Sequence, residues 1–392
     1  MSKIKKGIRI ILPEDSLEKK IINSYKTGKK LNIKLGFDPT SPDLHLGHAV
    51  VLKKLREFQD LGHKIFVIVG DFTTQIGDPT GKNKTRPALT STEINKNAKT
   101  YVKQLSKILD IKKIKIVKNS KWFNKMRLHG VIKLMSSYNL GKMMMRDDFA
   151  NRFKSESPIA MHEIIYPLLQ GYDSLMISAD IEIGGTDQLF NMQVGRHLQE
   201  HEELAPQTIL CMPILRGLDG KKKMSKSLNN YIGLTDEPND MFGKVMSLPD
   251  SLLEEYINLV TDWDDKTKMN YIAEITKTDN PMSIKKKIAT NIVTQYHNEK
   301  LAILAEENFV NTFSNKEIDI TKIEEIKISG DNSDLTSVLI ENDFASSKSE
   351  VMRLLQGNGL KVNKKVINNP NQELQDGDIV QKGKKTFFKI KI

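Results

Sequence analysis

The chain contains one cysteine, Cys211, among 392 residues. A lone thiol closes no internal disulfide and cannot build a Cys-rich zinc site, so redox chemistry is not expected and a reducing compartment is. Long apolar runs are also missing. The strongest run of the first half, "KIFVIVG" from Lys64 to Gly70, is far shorter than the ~20 residues that span a bilayer. The opening "MSKIKKGIRIILPEDS" carries no signal-peptide cleavage pattern, so a cytoplasmic protein with no membrane partner is expected. There is no fixed-period repeat and no low-complexity tract, which removes solenoids and compositional tails.

What the chain does have is length and positive charge. With 39% hydrophobic residues over 392 positions it can fill two or three separate cores. Lys and Arg number 60 against 49 Asp and Glu, a formal charge of +11 that would attract a polyanion, nucleic acid first. A second reading is compositional: abundant Lys, Ile and Asn can reflect a biased genome.

Period-two alternation in "KLNIKLGF" puts Leu31, Ile33, Leu35 and Phe37 on one face, and "KIFVIVG" reads as a strand buried on both faces. Between them Val50, Val51, Leu55 and Phe58 recur at helical spacing until Gly62. Strand, helix and strand make a βαβ unit, hence a parallel sheet with ligands expected at the strands' carboxyl ends, near Gly36 and Gly70. Residues 90–140 read as largely helical and lysine-rich, and residues 179–199 as strand, glycine turn and helix, with the α/β region closing near Arg216. Helices broken by "SLPDS" and "TDNP" follow from about Pro238 to Asn311, and "ISGDNSD" (Ile328 to Asp334) reads as a linker. The tail runs helix, helix and short strands.

Four stretches carry chemistry. In "DPTSPDLHLGH" (Asp38 to His48), His45 and His48 begin the helix after Gly36, where free N–H groups and the helix dipole favour an anion. A zinc site is disfavoured because no Glu-bearing i, i+4 histidine pair is present, and for two isolated histidines ordinary packing weighs more. "IGDPTGK" (Ile76 to Lys82) is no Walker A loop: three residues separate Gly77 from Gly81, and Asn83 replaces the magnesium-binding hydroxyl. It is either a plain turn or a place where Asp78, Lys82 and Arg86 hold an amine and a phosphate. "KKKMSKS" (Lys221 to Ser227) is either a solvated lysine cluster or a mobile loop that sets Lys223 and Lys226 over a triphosphate. "YPLLQGYD" aligns Tyr166, Gln170 and Asp173 as one polar helical stripe, exposed unless Asp173 finds a hydrogen-bonding partner.

Together, "GFDPTSPDLHLGH", "IGDPTGK", "YPLLQGYD", "IGGTDQ" and "KMSKS", in that order, resemble class I aminoacyl-tRNA synthetases, and within them the bacterial-type tyrosyl-tRNA synthetase family. "SSKSEVMRLLQGNGLKVNKK" resembles the S4 RNA-binding module that those enzymes carry at the C-terminus, so the resemblance covers essentially the whole chain. It implies an α/β fold: a Rossmann-like parallel-sheet catalytic domain over 1–220 with a helical insertion at about 118–158, a helical domain over 221–327, and a small α+β S4-like domain over 335–392. It implies activation of L-tyrosine by ATP and transfer to tRNA(Tyr) by a homodimer joined through the insertion. Magnesium would accompany the ATP, with no tightly bound protein metal.

By the same resemblance, Thr40 and His45 would face the pyrophosphate end of ATP, and His48 the nucleotide near its ribose. Gly36, Asp38 and Gly47 would also line the ATP site, and Gly185 and Asp187 would meet the ribose. Lys82, Arg86, Lys223 and Lys226 would close on the triphosphate. Asp78, Tyr166 and Gln170 would hold the tyrosine ammonium, Gln188 its carboxylate end, and Asp173 its hydroxyl. Lys348, Arg353, Lys361, Lys364 and Lys365 would meet RNA. One departure stands out: many relatives have tyrosine two residues before the glycine of "GFDPT", helping to hold the substrate hydroxyl, where this chain has Lys34. That lysine either points to solvent or pairs with a carboxylate near the pocket and replaces the missing donor. Leu35 and Val51 also stand where some relatives have polar groups near the ribose. Rival readings are a tryptophanyl-tRNA synthetase, which lacks the S4 tail, an RNA-binding protein with a dead synthetase core, and a nucleotidyltransferase of the same histidine-signature superfamily.

Overall fold

The β-branched runs of the first half pair into one six-stranded sheet in the computed structural model, which describes residues 2–79, 89–277, 280–313, 324–328, 334–342, 344–357, 359–363, 365–383 and 386–392. The chain divides into two units, 1–307 and 308–392. In the first, α1 (Ser2–Lys5) and β1 (Ile10–Leu12) lead to α2 (Ser16–Thr27), β2 (Asn32–Phe37), α3 (Leu46–Asp60), β3 (Lys64–Val69), α4 (Ser91–Leu105) and β4 (Ile114–Lys118). Four short helices follow: α5 (Ser120–Phe123), α6 (Leu128–Ser136), α7 (Leu140–Met144) and α8 (Asp147–Lys154). Then come α9 (Met161–Met176), β5 (Ile181–Gly185), α10 (Leu189–His201) and β6 (Thr208–Met212).

Strand order is β1-β6-β5-β2-β3-β4, with every neighbouring pair parallel except β1 with β6. The chain leaves β2 toward β3 and β4 on one side, then returns to build β5 and β6 on the other. The switch point therefore lies between β2 and β5, where sheets of this kind bind ligands at the carboxyl ends. Ile33, Ile65, Val67, Ile181, Ile183 and Ile209 are buried in the sheet and hold it between its helical layers. Helices α9 and α10 meet backbone to backbone because both contact positions are glycine: a Cβ on Gly171 would stand 3.0 Å from the Gly195 Cα.

The lysine-rich stretch 90–140 is not helical throughout. Its "IKIVK" segment forms β4, an edge strand paired only with β3 among the described residues, with Lys115 and Lys118 exposed. Outward lysines on an edge strand hide its apolar alternation in a helical, lysine-rich background. The antiparallel β1, three residues long, gave no periodic signal at all.

After Arg216 the chain becomes helical: α11 (Pro238–Met246), α12 (Leu253–Leu259), α13 (Asp265–Ile275), α14 (Met282–Tyr296) and α15 (Glu299–Phe313). Phe242, Tyr256, Ile288 and Ile292 are fully buried among them.

The second unit contains β7 (Glu324–Lys327), α16 (Leu335–Glu341), α17 (Lys348–Gln356), β8 (Leu360–Val362), β9 (Lys365–Val366), β10 (Ile379–Lys382) and β11 (Thr386–Lys391). The strands order β7-β11-β10-β8-β9 around a core that includes Leu335, Leu339, Val351, Leu360, Val380 and Phe388. Asp334 and Ser347 cap α16 and α17 by accepting backbone N–H bonds. Residues 324–327, which the resemblance sets at the end of the helical domain, pair in parallel with β11. Most of the expected linker, residues 329–333, lies outside the described residues. No described helix is long and apolar enough to cross a membrane.

Candidate active site

A cleft of about 710 Å³ opens at the switch point, lined by the ends of β2 and β5, the start of α3, one face of α9 and the segment from Lys223 to Leu228. It gathers Gly36, Asp38, Thr40, His45, Gly47, His48, Asp78, Tyr166, Gln170, Asp173, Gly185, Asp187, Gln188, Lys223 and Lys226. These are the expected nucleotide and amino-acid residues except Lys82 and Arg86, which lie outside the described residues.

His45 is the residue before the first turn of α3 rather than a member of the helix, and its extended backbone turns the chain into Leu46. The His45 N–H donates to Nδ1 of His48 at 3.2 Å, and the two rings lie 3.9 Å apart between centroids. An Nδ1 that accepts leaves the neutral His48 proton on Nε2. Burial first, then the neighbouring charges, pulls His45 down to about 2 and His48 to about 4, so both rings are neutral near pH 7. They offer hydrogen bonds without charge. The His45 Nδ1 is buried without a partner, a polar atom that a ligand would satisfy.

The lysine loop lies across from the histidines. Arg216 and Lys223 form a β-bridge, as do His45 and Gly233, so the loop's two ends are tied to the body of the unit. Asn230 braces it from inside, accepting from the Ser225 N–H and donating to Asp219 and the Lys223 carbonyl. Lys223 Nζ stands 3.1 Å from Asp187 Oδ2, and Lys226 pairs with Asp43. Lys223 and Lys226 are thus each held by a carboxylate, while Lys221 and Lys222 are exposed.

At the other side of the cleft, Tyr166 donates to Asp38 Oδ2 at 3.0 Å, and Thr73 donates to Asp38 Oδ1 at 2.8 Å. Gly70 leaves room for that carboxylate: a Cβ there would fall 2.1 Å from Asp38 Oδ1. Burial and the carboxylates of Asp38 and Asp78 raise Tyr166 well above its ordinary value, so it remains a donor. Gln188 donates to Asp78 at 2.8 Å, while Asn191 bridges Gln188 and Gln170. Arg146, buried against Phe149 and Phe190, donates to Asn191 and approaches Asp78 to 3.8 Å. Two carboxylates surrounded by donors make an acceptor site for a cation such as an ammonium.

Asp173 is 4% exposed at the inner end of the polar stripe. The stripe faces inward, because Tyr166 is also buried. Trp122 Nε1 donates to Asp173 Oδ1 at 2.9 Å, and Asn119 Nδ2 to Oδ2 at 3.3 Å. Burial pushes Asp173 up to about 7 against the opposing pull of Lys34 and these two donors. Each carboxylate oxygen retains a lone pair for a ligand hydroxyl. Lys34 does not reach solvent: it is fully buried and pairs with Glu182 at 2.9 Å.

Asn119, Trp122, Thr73, Asn191, Arg146, Asn230 and Asp43 were not singled out by sequence. Asn191 alone had a local cue, standing three residues after Gln188 on one helical face. In the second unit, Lys348, Arg353 and Lys365 are exposed and Lys361 is half-buried, whereas Lys364 lies outside the described residues.

Comparison with known proteins adds a family context. Residues 26–314 match the family model of tRNA synthetases class I (W and Y), and residues 343–380 match the S4 domain. The tyrosine–tRNA ligase 2 of Photorhabdus laumondii is 48% identical over 396 residues, covering 100% of this chain and 98% of its own. The tyrosine–tRNA ligase of Carboxydothermus hydrogenoformans is 47% identical, covering 99% and 96%. Among solved structures, the tyrosyl-tRNA synthetase of Archaeoglobus fulgidus complexed with L-tyrosine superposes with a TM-score of 0.62 at 23% identity, over 77% of this chain and 97% of that one. The tryptophanyl-tRNA synthetase of Plasmodium falciparum gives 0.55 at 18% identity, over 74% and 80%, and so shares the fold.

Proposed function

The chain belongs to the tyrosine–tRNA ligases, class I aminoacyl-tRNA synthetases, and from that premise we propose how its cleft divides the reaction. Tyrosine is activated by ATP to tyrosyl-adenylate and then passed to the terminal adenosine of tRNA(Tyr). In the first step a tyrosine carboxylate oxygen bonds to the α-phosphorus while the bond to pyrophosphate breaks. With a pKa of roughly 3.3–3.7 that carboxylate is already ionised, so no general base is needed. Rate enhancement then rests on positioning and on stabilising phosphate charge. In the second step a ribose hydroxyl of the tRNA attacks the activated carbonyl, and AMP leaves.

The observation that carries this reading is the polarity of one continuous cleft: a buried carboxylate, Asp173, at one end and neutral imidazoles facing two loop lysines at the other. We assign Asp173 to the phenol hydroxyl. Asp78, Tyr166 and Gln170 hold the ammonium, and Gln188 the carboxylate end. Asp38, expected among the ATP residues, joins the ammonium group because it accepts from Tyr166. Thr40 and His45 meet the pyrophosphate end, His48 the nucleotide near its ribose, Gly185 and Asp187 the ribose itself, and Gly36 and Gly47 line the ATP site. Lys223 and Lys226 exchange Asp187 and Asp43 for phosphate oxygens, with Lys82 and Arg86 as further cations.

Magnesium travels with the nucleotide. The described residues include no group of three or more His, Cys, Asp or Glu able to hold a metal, and an ion bound mainly by phosphates and water needs no such cage. The exposed Lys348, Arg353 and Lys365, with Lys361 and Lys364, meet tRNA phosphates by charge and shape. Leu128, Leu140, Met145 and Phe153 of the insertion are 59–77% exposed, apolar side chains that a second copy of the chain would cover in a homodimer. The cytoplasm is where these substrates meet the enzyme.

ATP–pyrophosphate exchange with each of the twenty amino acids tests the substrate. Exchange with tyrosine alone is expected; exchange with tryptophan, or with none, overturns the reading.

A further inference from the structure

Beside the floor of the cleft lies an ion pair whose lysine lines no part of it. Lys34 on β2 and Glu182 on β5 are direct neighbours in the parallel register, and their side chains are 0% and 2% exposed. All three ammonium protons are engaged: with Glu182 Oε1 at 2.9 Å, Ser174 Oγ at 2.8 Å and the Gln170 carbonyl at 2.8 Å. The carboxylate is equally well served. Glu182 Oε1 also takes Gln170 Nε2 at 3.3 Å, and Oε2 takes Ser174 Oγ at 3.1 Å and Gln207 Nε2 at 2.5 Å.

Two consequences follow from this geometry. Lys34 has no proton left for a ligand hydroxyl, so it does not stand in for the missing tyrosine as a direct donor. Its partners Gln170 and Ser174 sit one turn apart on α9 and bracket Asp173, so the pair grips the very turn that faces the cleft. A buried ion pair is often no more stabilising than a well-packed apolar pair of the same size, and loss of one partner strands the other charge. A buried ion pair beside the cleft therefore fits a task in the pocket better than a task in stability.

We propose that Lys34 is a positioning residue for amino-acid discrimination, acting through Ser174 and the Gln170 carbonyl to hold the turn of α9 that aims Gln170 and Asp173 into the cleft, while its charge acts on Asp173 from outside the ligand space. The inference rests on the assignment of Asp173 to the tyrosine hydroxyl. The groups around that carboxylate agree with it. Burial raises Asp173, and Lys34 from β2 is the largest influence opposing the rise, ahead of Asn119 and Trp122; Glu182 from β5 pushes weakly the other way. On its own helix Asp173 faces Tyr166, which remains neutral, and Asp38 and Asp78 lie beyond that tyrosine. With no tyrosine donor at position 34, discrimination depends on an acceptor that is both aimed and ionised, and Lys34 serves both needs.

The test uses the full chain in tyrosine-dependent ATP–pyrophosphate exchange from pH 6 to 9, with melting temperature measured alongside. Lys34→Met should raise KM for tyrosine about tenfold, leave KM for ATP within about twofold, and move the midpoint of kcat/KM for tyrosine upward by about one pH unit. The double variant Lys34→Met/Glu182→Met strands no charge; it should recover melting temperature yet keep the raised KM and the displaced midpoint. A folded single or double variant with the wild-type KM and midpoint overturns the proposal, because the pair would then only fill space. Failure of the underlying assignment looks different: Asp173→Asn would leave the tyrosine/phenylalanine ratio intact whatever Lys34 does.

Discussion

Replacing Asp173 by asparagine changes almost no volume and removes one thing, an ionised acceptor at the buried end of the cleft. The carboxylate takes one hydrogen bond on each oxygen, from Trp122 and Asn119, and keeps a lone pair for a phenol. An amide has one accepting oxygen and an NH₂ group, so one of those donors would face another donor and the phenol would lose a charged partner. A hydrogen bond to a charged group contributes about 1.5–3 kcal/mol, and 1.36 kcal/mol is a factor of ten, so KM for tyrosine should rise roughly 10- to 150-fold. Phenylalanine has no hydroxyl to lose, so its weak exchange should stay within about threefold, and the preference for tyrosine should fall by nearly the whole factor.

A pH profile adds an independent readout. Asp173 stands at about 7 in the free protein, and only its deprotonated form accepts without donating. Wild-type kcat/KM for tyrosine should therefore rise as pH increases through about 7, and Asp173→Asn should lose that inflection. Pyrophosphate exchange with both amino acids across this range measures ratio and profile together. An unchanged tyrosine/phenylalanine ratio, or an inflection that survives in the asparagine variant, would mean that the tyrosine hydroxyl does not bind at Asp173.

Lys226→Ala should lower kcat for exchange by about 10- to 100-fold with KM for tyrosine nearly unchanged, since its charge is called upon when phosphate charge develops; a purely raised KM for tyrosine would place it elsewhere. His48 is held near 4 in the folded chain against about 6.5 unfolded, so the unfolded state takes up the proton first and stability falls as pH drops from about 6.5 to 4. Asp173 works in the opposite sense between 7 and 4, but it is common to wild type and His48→Asn, so melting curves should show wild type losing up to about 3 kcal/mol more than the variant over that window. Equal slopes would count against a buried neutral His48. Removal of residues 335–392 should spare pyrophosphate exchange and abolish tRNA charging; a truncated chain that still charges tRNA would make the basic face of that unit a solvated surface only. Phe153→Glu, at an exposed aromatic of the insertion, should sediment as a monomer at micromolar concentration where wild type sediments as a dimer, and two identical monomer profiles would remove the proposed interface.

How much was legible in the sequence depended on whether the signal was local. His45 and His48 stand three apart, Lys223 and Lys226 sit in one heptapeptide, and Tyr166, Gln170 and Asp173 repeat at helical spacing, so short windows sufficed to single them out. Asn119 and Trp122 gave no such pattern. They reach Asp173 across 54 and 51 residues, and only the sheet brings the end of β4 beside α9. Glu182 likewise reads as one polar residue in a strand until its register beside Lys34 is known. β4 was missed because an edge strand keeps its lysines outward, and the period-two alternation of β2 carried no sign that the charge of Lys34 would be buried. Sequence alone left open whether that lysine met solvent or a carboxylate. Burial and three hydrogen bonds decide for the carboxylate.

The most direct measurement is a crystal structure of the full chain with a non-hydrolysable tyrosyl-adenylate analogue. The phenol oxygen is expected about 2.6–2.8 Å from an Asp173 carboxylate oxygen, the ammonium between Asp78 and Tyr166, the ribose at Asp187, and Lys34 still bound to Glu182 and Ser174 with no ligand contact. A phenol hydrogen-bonded to Lys34, or an analogue whose ammonium lies at Asp173, would contradict that placement.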